Sequence, residues 1–122
     1  MKEKSVRMSD DWPIAACQSL IAEQLPVRYP TISHTARLLG VTVRTLQRRL
    51  RQDDLTYSQL VENTRLEQAR YLLGASERSV AEVAKALGYA DPGSFSRAFR
   101  RWMKISPRAY RQLKRSEIDR RD

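Results

Sequence analysis

Apolar residues between positions 12 and 113 recur every three or four residues, which is the spacing of one buried face on an α-helix. Short breaks that contain glycine, proline or hydroxyl side chains separate these segments. The pattern predicts an all-α protein of about seven helices. Its longest segment, residues 56–74, begins with the capping-box sequence TYSQ and ends near GAS.

Two segments are similar to each other, at a spacing of 48 residues up to the glycine of each copy and of 49 residues after it. The first, TISHTARLLGVTVRTLQRRLR, begins at Thr31, and the second, SVAEVAKALGYADPGSFSRAFRR, begins at Ser79. In each copy a Thr or Ser N-cap begins one helix, Gly40 or Gly88 ends it, and a second helix follows. Because two helices joined by a short glycine-containing turn are typical of the helix-turn-helix motif, the chain is predicted to hold two such motifs.

These motifs divide the chain into five predicted segments. They are a polar, disordered N-terminus (1–11), a first helix-turn-helix subdomain (12–55), a linker helix (56–74), a second helix-turn-helix subdomain (75–113) and a polar C-terminal tail (114–122). The apolar residues of the linker helix lie on two different sides, as expected if each half contacts a different subdomain. A helix of this length extends about 25 Å, which with its flanking turns fits the roughly 34 Å between successive major grooves.

Composition favours a soluble globular protein, because the 122 residues are 41% hydrophobic and 30% charged. The chain shows neither a signal peptide nor a segment apolar enough to span a bilayer. Cys17, the single cysteine, lies among apolar residues and is predicted to be buried in the core, with no partner for a disulfide or a metal site. We expect a cytoplasmic protein without a cofactor, in which His34 is a surface residue.

The positive charge is concentrated in two short segments. The formal net charge is +9; residues 44–51 carry four basic and no acidic side chains, and residues 97–115 carry eight and none. On helical projections the outward sides of the second helices carry Arg44, Gln47, Arg48 and Arg51 in one copy and Gly93, Arg97, Arg100 and Arg101 in the other. Solvated helix faces normally mix acids with bases, so nucleic acid or an anionic membrane surface is the expected partner.

Four segments resemble the DNA-binding domain of AraC/XylS transcriptional regulators. They are TARLLGVTVRTLQRRLR, RLEQARYLL, VAKALGYADPGSFSRAFRRW and SPRAYR, and the resemblance covers about residues 12–113. It implies two helix-turn-helix subdomains joined by a central helix, which bind DNA without catalysis.

Carried over by position, the resemblance also implies which residues contact DNA. The base-contacting positions fall on Arg44, Gln47, Arg48, Gly93, Ser96 and Arg97. The neighbouring capping and cationic residues, predicted to contact phosphates, are Thr42, Arg49, Arg51, Arg100 and Arg101. Because Pro92 and Gly93 offer no polar side chain to a base, we hypothesise that the second subdomain mostly binds phosphates while the first recognises sequence.

The chain departs from the family in two turns. The family usually has glycine where this sequence has Asp54 and Lys104. A left-handed backbone costs a residue other than glycine roughly 1 kcal/mol, and Asp tolerates it better than Lys. We therefore expect these two turns to differ from those of the family.

The sequence favours a sequence-specific DNA-binding transcription regulator that inserts two recognition helices into successive major grooves. It would be the C-terminal domain of a longer, effector-responsive regulator or a short stand-alone regulator. The alternatives are a nonspecific architectural DNA-binding protein and the DNA-targeting module of a larger enzyme. Catalysis is not expected, because the chain lacks a metal cluster, a nucleophile–base pair and a phosphate-binding loop. A membrane-surface role fits least, because the basic faces lack flanking exposed Trp or Leu.

Double-stranded DNA is the expected partner, and neither a membrane contact nor a small-molecule site is expected within the chain. RNA polymerase is a second candidate partner. Acidic residues between the motifs, among them Glu62, Glu67 and Glu77, could contact it or could merely offset the positive charge, and we favour the second interpretation. Oligomerisation is expected only through a companion domain outside this chain.

Overall fold

The computed structural model of the protein describes residues 12–121, and within that range it has seven α-helices and no β-strand. The helices are α1 (Ile14–Gln24), α2 (Ile32–Leu39), α3 (Val43–Arg51), α4 (Tyr57–Ala75), α5 (Val80–Ala86), α6 (Pro92–Met103) and α7 (Pro107–Arg121). The predicted all-α fold is confirmed. Residues 1–11, predicted to be a disordered terminus, lie outside the described residues.

The first helix of each motif begins at the hydroxyl side chain that the sequence predicted. The Thr31 hydroxyl accepts a hydrogen bond from the His34 amide at 3.3 Å, and the Ser79 hydroxyl accepts one from the Glu82 amide at 3.1 Å. The Glu82 carboxylate accepts a bond from the Ser79 amide at 2.8 Å, which completes a capping box. Both N-cap predictions are therefore confirmed.

Left-handed residues follow four of the helices. Gly40 and Gly88 have φ angles of 79° and 83° and end α2 and α5 at no steric cost, as predicted. Asp54 and Lys104 are also left-handed, with φ angles of 58° and 69°. The expectation that these two turns would differ is therefore wrong. Hydrogen bonds that close the preceding helix hold them in place, such as the one from the Lys104 amide to the Arg100 carbonyl at 2.8 Å.

α4 matches the predicted linker helix. The Thr56 amide donates to Gln59 Oε1 at 2.9 Å, and the Gln59 amide donates to Thr56 Oγ1 at 3.1 Å. These two bonds form the predicted capping box. The helix ends at Ala75, one residue beyond the predicted end.

The chain divides into two compact units, the first ending at Thr64 and the second beginning at Arg65. The large apolar side chains that are fully buried in the first unit are Ile21, Leu25, Leu46, Leu50, Leu60 and Val61. Cys17 is also fully buried there, as predicted, and burial raises the pKa of its thiol to about 12. The first unit therefore has an apolar core to which α1, α3 and the start of α4 contribute.

A chain of buried polar groups connects α1, α2 and α4 within the first unit. The Tyr57 hydroxyl donates to the Pro30 carbonyl at 2.6 Å and lies 2.8 Å from Thr35 Oγ1. Gln24 Nε2 donates to the same Thr35 oxygen at 2.8 Å. Burial is the main reason why the pKa of Tyr57 is raised to about 12, and the neutral hydroxyl keeps its proton for the carbonyl.

The second unit has an aromatic core beneath α6. The large, fully buried side chains of this unit are Leu73, Val83, Leu87, Phe95 and Phe99. The Phe95 ring lies 5.5 Å from that of Tyr89 and 5.8 Å from that of Phe99, between centroids. Phe99 in turn packs edge-on against Tyr110 at 5.5 Å. These rings fix the side of α6 that faces the core.

α7 begins in the second predicted subdomain and extends into the predicted C-terminal tail. Arg111 Nε donates to the Leu73 carbonyl at 2.9 Å, and Arg115 forms an ion pair with Glu77 at 2.9 Å. These contacts join α7 to the end of α4 and to the segment that follows it. Residues 114–121, which belong to the predicted polar C-terminal tail, continue this helix.

Candidate nucleic-acid interface

Two buried leucines set the rotation of α3 in the first unit. Leu46 and Leu50 are completely buried, so the opposite side of the helix faces solvent. The predicted contact residues that are exposed in and beside α3 are Thr42, Arg44, Gln47, Arg48 and Arg51. Thr42 begins the helix by accepting a hydrogen bond from the Thr45 amide at 3.0 Å. The structure therefore brings these five predicted residues to solvent together.

The same arrangement recurs in α6 of the second unit. Phe95, Ala98 and Phe99 form its buried side. The predicted contact residues that are exposed on this helix are Gly93, Arg97, Arg100 and Arg101. Ser96 is half-buried at the edge of that surface. α6 thus presents mainly cations, whereas α3 presents cations and an amide.

Asp91 organises the first turn of α6. Its carboxylate accepts hydrogen bonds from the Ser94 amide at 2.7 Å and from the Ser94 hydroxyl at 3.1 Å. These bonds, and to a lesser degree the nearby Arg97 charge, lower the pKa of Asp91. A Cβ atom at Gly93 would lie 3.2 Å from Asp91 Oδ1 and 3.3 Å from Arg97 Nη1. The bare backbone of Gly93 therefore allows both charged groups to approach the start of the helix.

Comparison with known proteins agrees with this geometry. A family model described as a helix-turn-helix domain matches residues 35–113. A transcriptional regulator from Chromobacterium violaceum with an AraC-type DNA-binding domain superposes with a TM-score of 0.72 and 26% identity, over 82% of this chain and 89% of that one. The chain belongs to the AraC/XylS family.

Two further proteins show how much of a regulator this AraC/XylS domain corresponds to. The HTH-type transcriptional regulator VqsM of Pseudomonas aeruginosa is 38% identical over 92 residues, which is 75% of this chain and 28% of VqsM. The DNA-binding domain of AdpA, solved in complex with a target DNA, is 31% identical with a TM-score of 0.66. That superposition covers 86% of this chain and 95% of the AdpA domain. The chain is thus similar in extent to an isolated domain.

Arg49 has a structural role in this AraC/XylS domain. Its side chain is only 11% exposed and lies 3.6 Å from the Asp53 carboxylate. Its Nε donates to the Trp12 carbonyl at 2.8 Å, and its guanidinium lies 5.4 Å from the centroid of the Trp12 ring. These contacts hold Arg49 within the first unit, and its predicted phosphate contact stays a prediction. On a helical projection Arg49 falls at the border of the apolar stripe of α3, and Trp12, two residues before α1, contacts it there.

The sequence prediction missed Arg108, in the first turn of α7. This exposed residue faces a pocket beside α6, whose lining is Val80, Ser96, Arg97, Arg100, Ser106, Pro107 and Arg108. The internal repeat contains a signal that could have found it. Thr56 caps α4, which follows α3, and Ser106 caps α7, which follows α6; the two residues are 50 positions apart. The internal repeat therefore extends to these two caps, and Arg108 lies two positions after the second one.

The described part of this family domain presents a cationic surface and no recognisable metal centre. Among residues 12–121, no group of three or more His, Cys, Asp or Glu side chains is placed to hold a metal ion. Nor is any helix in that range long and apolar enough to cross a membrane. The candidate site consists of the exposed sides of α3 and α6, each described within its own unit.

Proposed function

We propose that this chain binds specific sequences of double-stranded DNA as the DNA-binding part of a transcription regulator. The strongest support is the exposed side of α3, where Gln47 lies among arginines such as Arg44 and Arg48. Arg can donate two hydrogen bonds to guanine O6 and N7, and Gln can pair with adenine N6 and N7. Phosphate oxygens only accept hydrogen bonds, whereas the Gln47 amide can both donate and accept, as adenine recognition requires, so Gln47 favours base recognition.

The related proteins support the same proposal. VqsM is named as a transcriptional regulator, and the AdpA domain was solved with a target DNA. Because this chain spans 28% of the length of VqsM, the proposal concerns DNA binding and assigns no effector response or oligomerisation to it. We propose a non-catalytic role in the bacterial cytoplasm. Contact with RNA polymerase stays a prediction.

We further propose that α3 and α6 enter successive major grooves on one side of the duplex. Each helix begins at a side-chain cap and exposes polar residues in its first turns, and these turns of a recognition helix contact base edges. Two helices that bind one side of B-DNA contact sequences whose centres lie about 10 base pairs apart. The preferred sequence should therefore contain two short blocks at that spacing.

Selection of bound duplexes from random DNA tests both parts of the proposal. The expected result is a motif of two blocks whose centres lie about 10 base pairs apart. At one fixed salt concentration, the selected duplex should bind at least about a thousandfold more tightly than a scrambled duplex. A ratio near one would contradict sequence-specific binding and would favour a nonspecific architectural protein.

A matched pair of double variants separates base recognition from net charge. Arg44→Ala/Arg48→Ala is expected to lower the specificity ratio. Arg70→Ala/Arg78→Ala removes the same charge from exposed positions outside α3 and α6 and should leave that ratio unchanged. An equal effect of the two variants would mean that α3 contributes only charge.

A further inference from the structure

A strongly basic pocket lies between α6 and the first turn of α7 in the second unit. Its volume is about 390 Å³, and three arginines line it, namely Arg97, Arg100 and Arg108. The hydroxyl groups of Ser96 and Ser106 lie in the same lining. No Asp or Glu is found among the described residues that line the pocket. The pocket therefore has the charge and the donors of an anion-binding site.

A phosphodiester group matches this set of donors. Arg97 has the Asp91 carboxylate nearby, but the three cations around the cavity still repel one another, which favours binding of an anion among them. Guanidinium and hydroxyl groups both donate hydrogen bonds to phosphate oxygens. Ser106 Oγ accepts a bond from the Ala109 amide at 3.0 Å, which leaves the hydroxyl hydrogen to donate. Because Arg97 and Arg100 also belong to the exposed surface of α6, the anion would lie beside the proposed recognition helix.

The first unit has a smaller pocket at the equivalent place. Its volume is about 280 Å³, and its lining is Gln47, Leu50, Arg51, Leu55, Thr56 and Tyr57. Arg51 occupies the position of Arg100 in the repeat, and Thr56 that of Ser106. In both units a left-handed residue comes two positions before the capping hydroxyl. A pocket that recurs beside both proposed recognition helices indicates a ligand that both helices share.

We propose that each pocket binds one phosphate of the DNA backbone, and that the second pocket binds it more strongly. This rests on the proposed function and adds Arg108, on α7, to the DNA-binding residues. In the first unit the position equivalent to Arg108 is Ser58, an exposed residue without charge. The first pocket thus has one arginine in its lining, Arg51, where the second has three.

Neutral methylphosphonates, placed one at a time along each strand of the selected duplex, test the second pocket. Where the wild-type protein contacts a phosphate, the neutral group should weaken binding roughly tenfold. Arg108→Ala should weaken binding of the unmodified duplex by a similar factor and reduce the slope of log K against log salt by about 0.9. At one position where a methylphosphonate weakens binding of the wild-type protein, it should no longer weaken binding of the Arg108→Ala variant.

Arg115→Ala is the matched control, because Arg115 lies two turns further along the same side of α7 and pairs with Glu77 at 2.9 Å. It should leave the salt slope and the methylphosphonate profile unchanged. If Arg108→Ala shows the same methylphosphonate profile as the wild-type protein on the selected duplex, the second pocket does not bind phosphate. That outcome would leave the proposed function standing. Loss of any preference in the wild-type protein would instead contradict the proposed function.

A gain-of-contact variant tests the first pocket. Ser58→Arg places a guanidinium at the position equivalent to Arg108. It should tighten binding of every duplex and increase the salt slope by about 0.9. An unchanged slope would overturn the proposed phosphate site of the first unit.

Discussion

The Nε of Arg49 donates a hydrogen bond to the main-chain carbonyl of Trp12 at 2.8 Å, and the guanidinium packs against the ring of the same residue. Arg51, two residues further along α3, is exposed. One arginine of this basic segment therefore stabilises the first unit, and the other remains available to a ligand. A pair of variants can separate the two roles.

Arg49→Ala should lower the free energy of unfolding of the first unit by about 2 kcal/mol, because a buried carbonyl loses a charged donor. Urea unfolding followed by Trp12 fluorescence, in a Trp102→Phe background, measures this unit. Arg51→Ala should leave the unfolding midpoint unchanged and weaken DNA binding. An unchanged midpoint for Arg49→Ala would show that the Trp12 contact does not stabilise the fold.

Tyr57→Phe should destabilise the first unit by about 1–3 kcal/mol. The substitution removes the hydroxyl that donates to the Pro30 carbonyl at 2.6 Å and leaves that carbonyl without this donor. Tyr71→Phe, in the same helix, is the control, because Tyr71 is 67% exposed. The control should change stability by less than about 0.5 kcal/mol. Similar losses for the two variants would contradict a stabilising role of the buried network.

Wild type and Tyr57→Phe should also differ in how their stability depends on alkaline pH. Burial raises the pKa of Tyr57 from 10.0 to about 12. Above pH 10 the unfolded chain releases this proton while the folded chain retains it, so stability falls as the pH rises towards 12 and is unaffected below 10. Cys17, whose pKa is also raised, is present in both proteins. Between pH 9 and pH 11, wild type should therefore lose more unfolding free energy than Tyr57→Phe, and equal losses would contradict the assignment.

Lys104→Gly should stabilise the second unit. Lys104 has a φ of 69°, a left-handed conformation that costs a side-chain-bearing residue roughly 1 kcal/mol. The gain will be partly offset, because glycine increases the entropy of the unfolded chain. Asp54→Gly should stabilise the first unit by less, since Asp tolerates the φ of 58° better. Urea unfolding followed by the fluorescence of Trp12 for the first unit and of Trp102 for the second measures both changes in stability. A loss of stability in Lys104→Gly would refute the proposed cost of the left-handed conformation.

Features that depend on neighbours in the sequence could be predicted, and features that depend on distant residues could not. Thr42 and Asp91 begin their helices through bonds to amides three residues away, so a short window of sequence suffices. Arg49 is bonded across 37 residues to Trp12, and nothing near Arg49 indicates this. Arg115 of α7 is likewise paired with Glu77, 38 residues away, so the sequence around Arg115 does not indicate this contact.

The candidate site follows the same division. Residues that share one side of α3 or α6 could be predicted from helical spacing, since the buried Leu46 and Phe95 fix the rotation of each helix. Helical spacing could not place Arg108 beside α6, because its position depends on the left-handed turn at Lys104. Helical spacing therefore predicts which side chains share a side of one helix, whereas across a turn only the internal repeat gives a signal.

Gln47→Ala and Arg100→Ala should affect DNA binding differently. Gln47 lies exposed among the arginines of α3, whereas α6 offers the bare Gly93 and the half-buried Ser96 beside its cations. Gln47→Ala should relax the preference at one or two base pairs, at a cost of about 1–3 kcal/mol on the selected duplex. Its salt slope should not change.

Arg100→Ala should instead weaken selected and scrambled duplexes by the same factor and reduce the salt slope by about 0.9. Dissociation constants for a panel of single-base variants of the selected duplex, at several salt concentrations, distinguish the two patterns. If both substitutions weaken every sequence equally, the division of base recognition and phosphate binding between the two subdomains is refuted. Both substitutions remove an exposed side chain, but only Arg100→Ala removes a charge. If only Gln47→Ala reduces the preference between sequences, α3 is the helix that recognises the sequence.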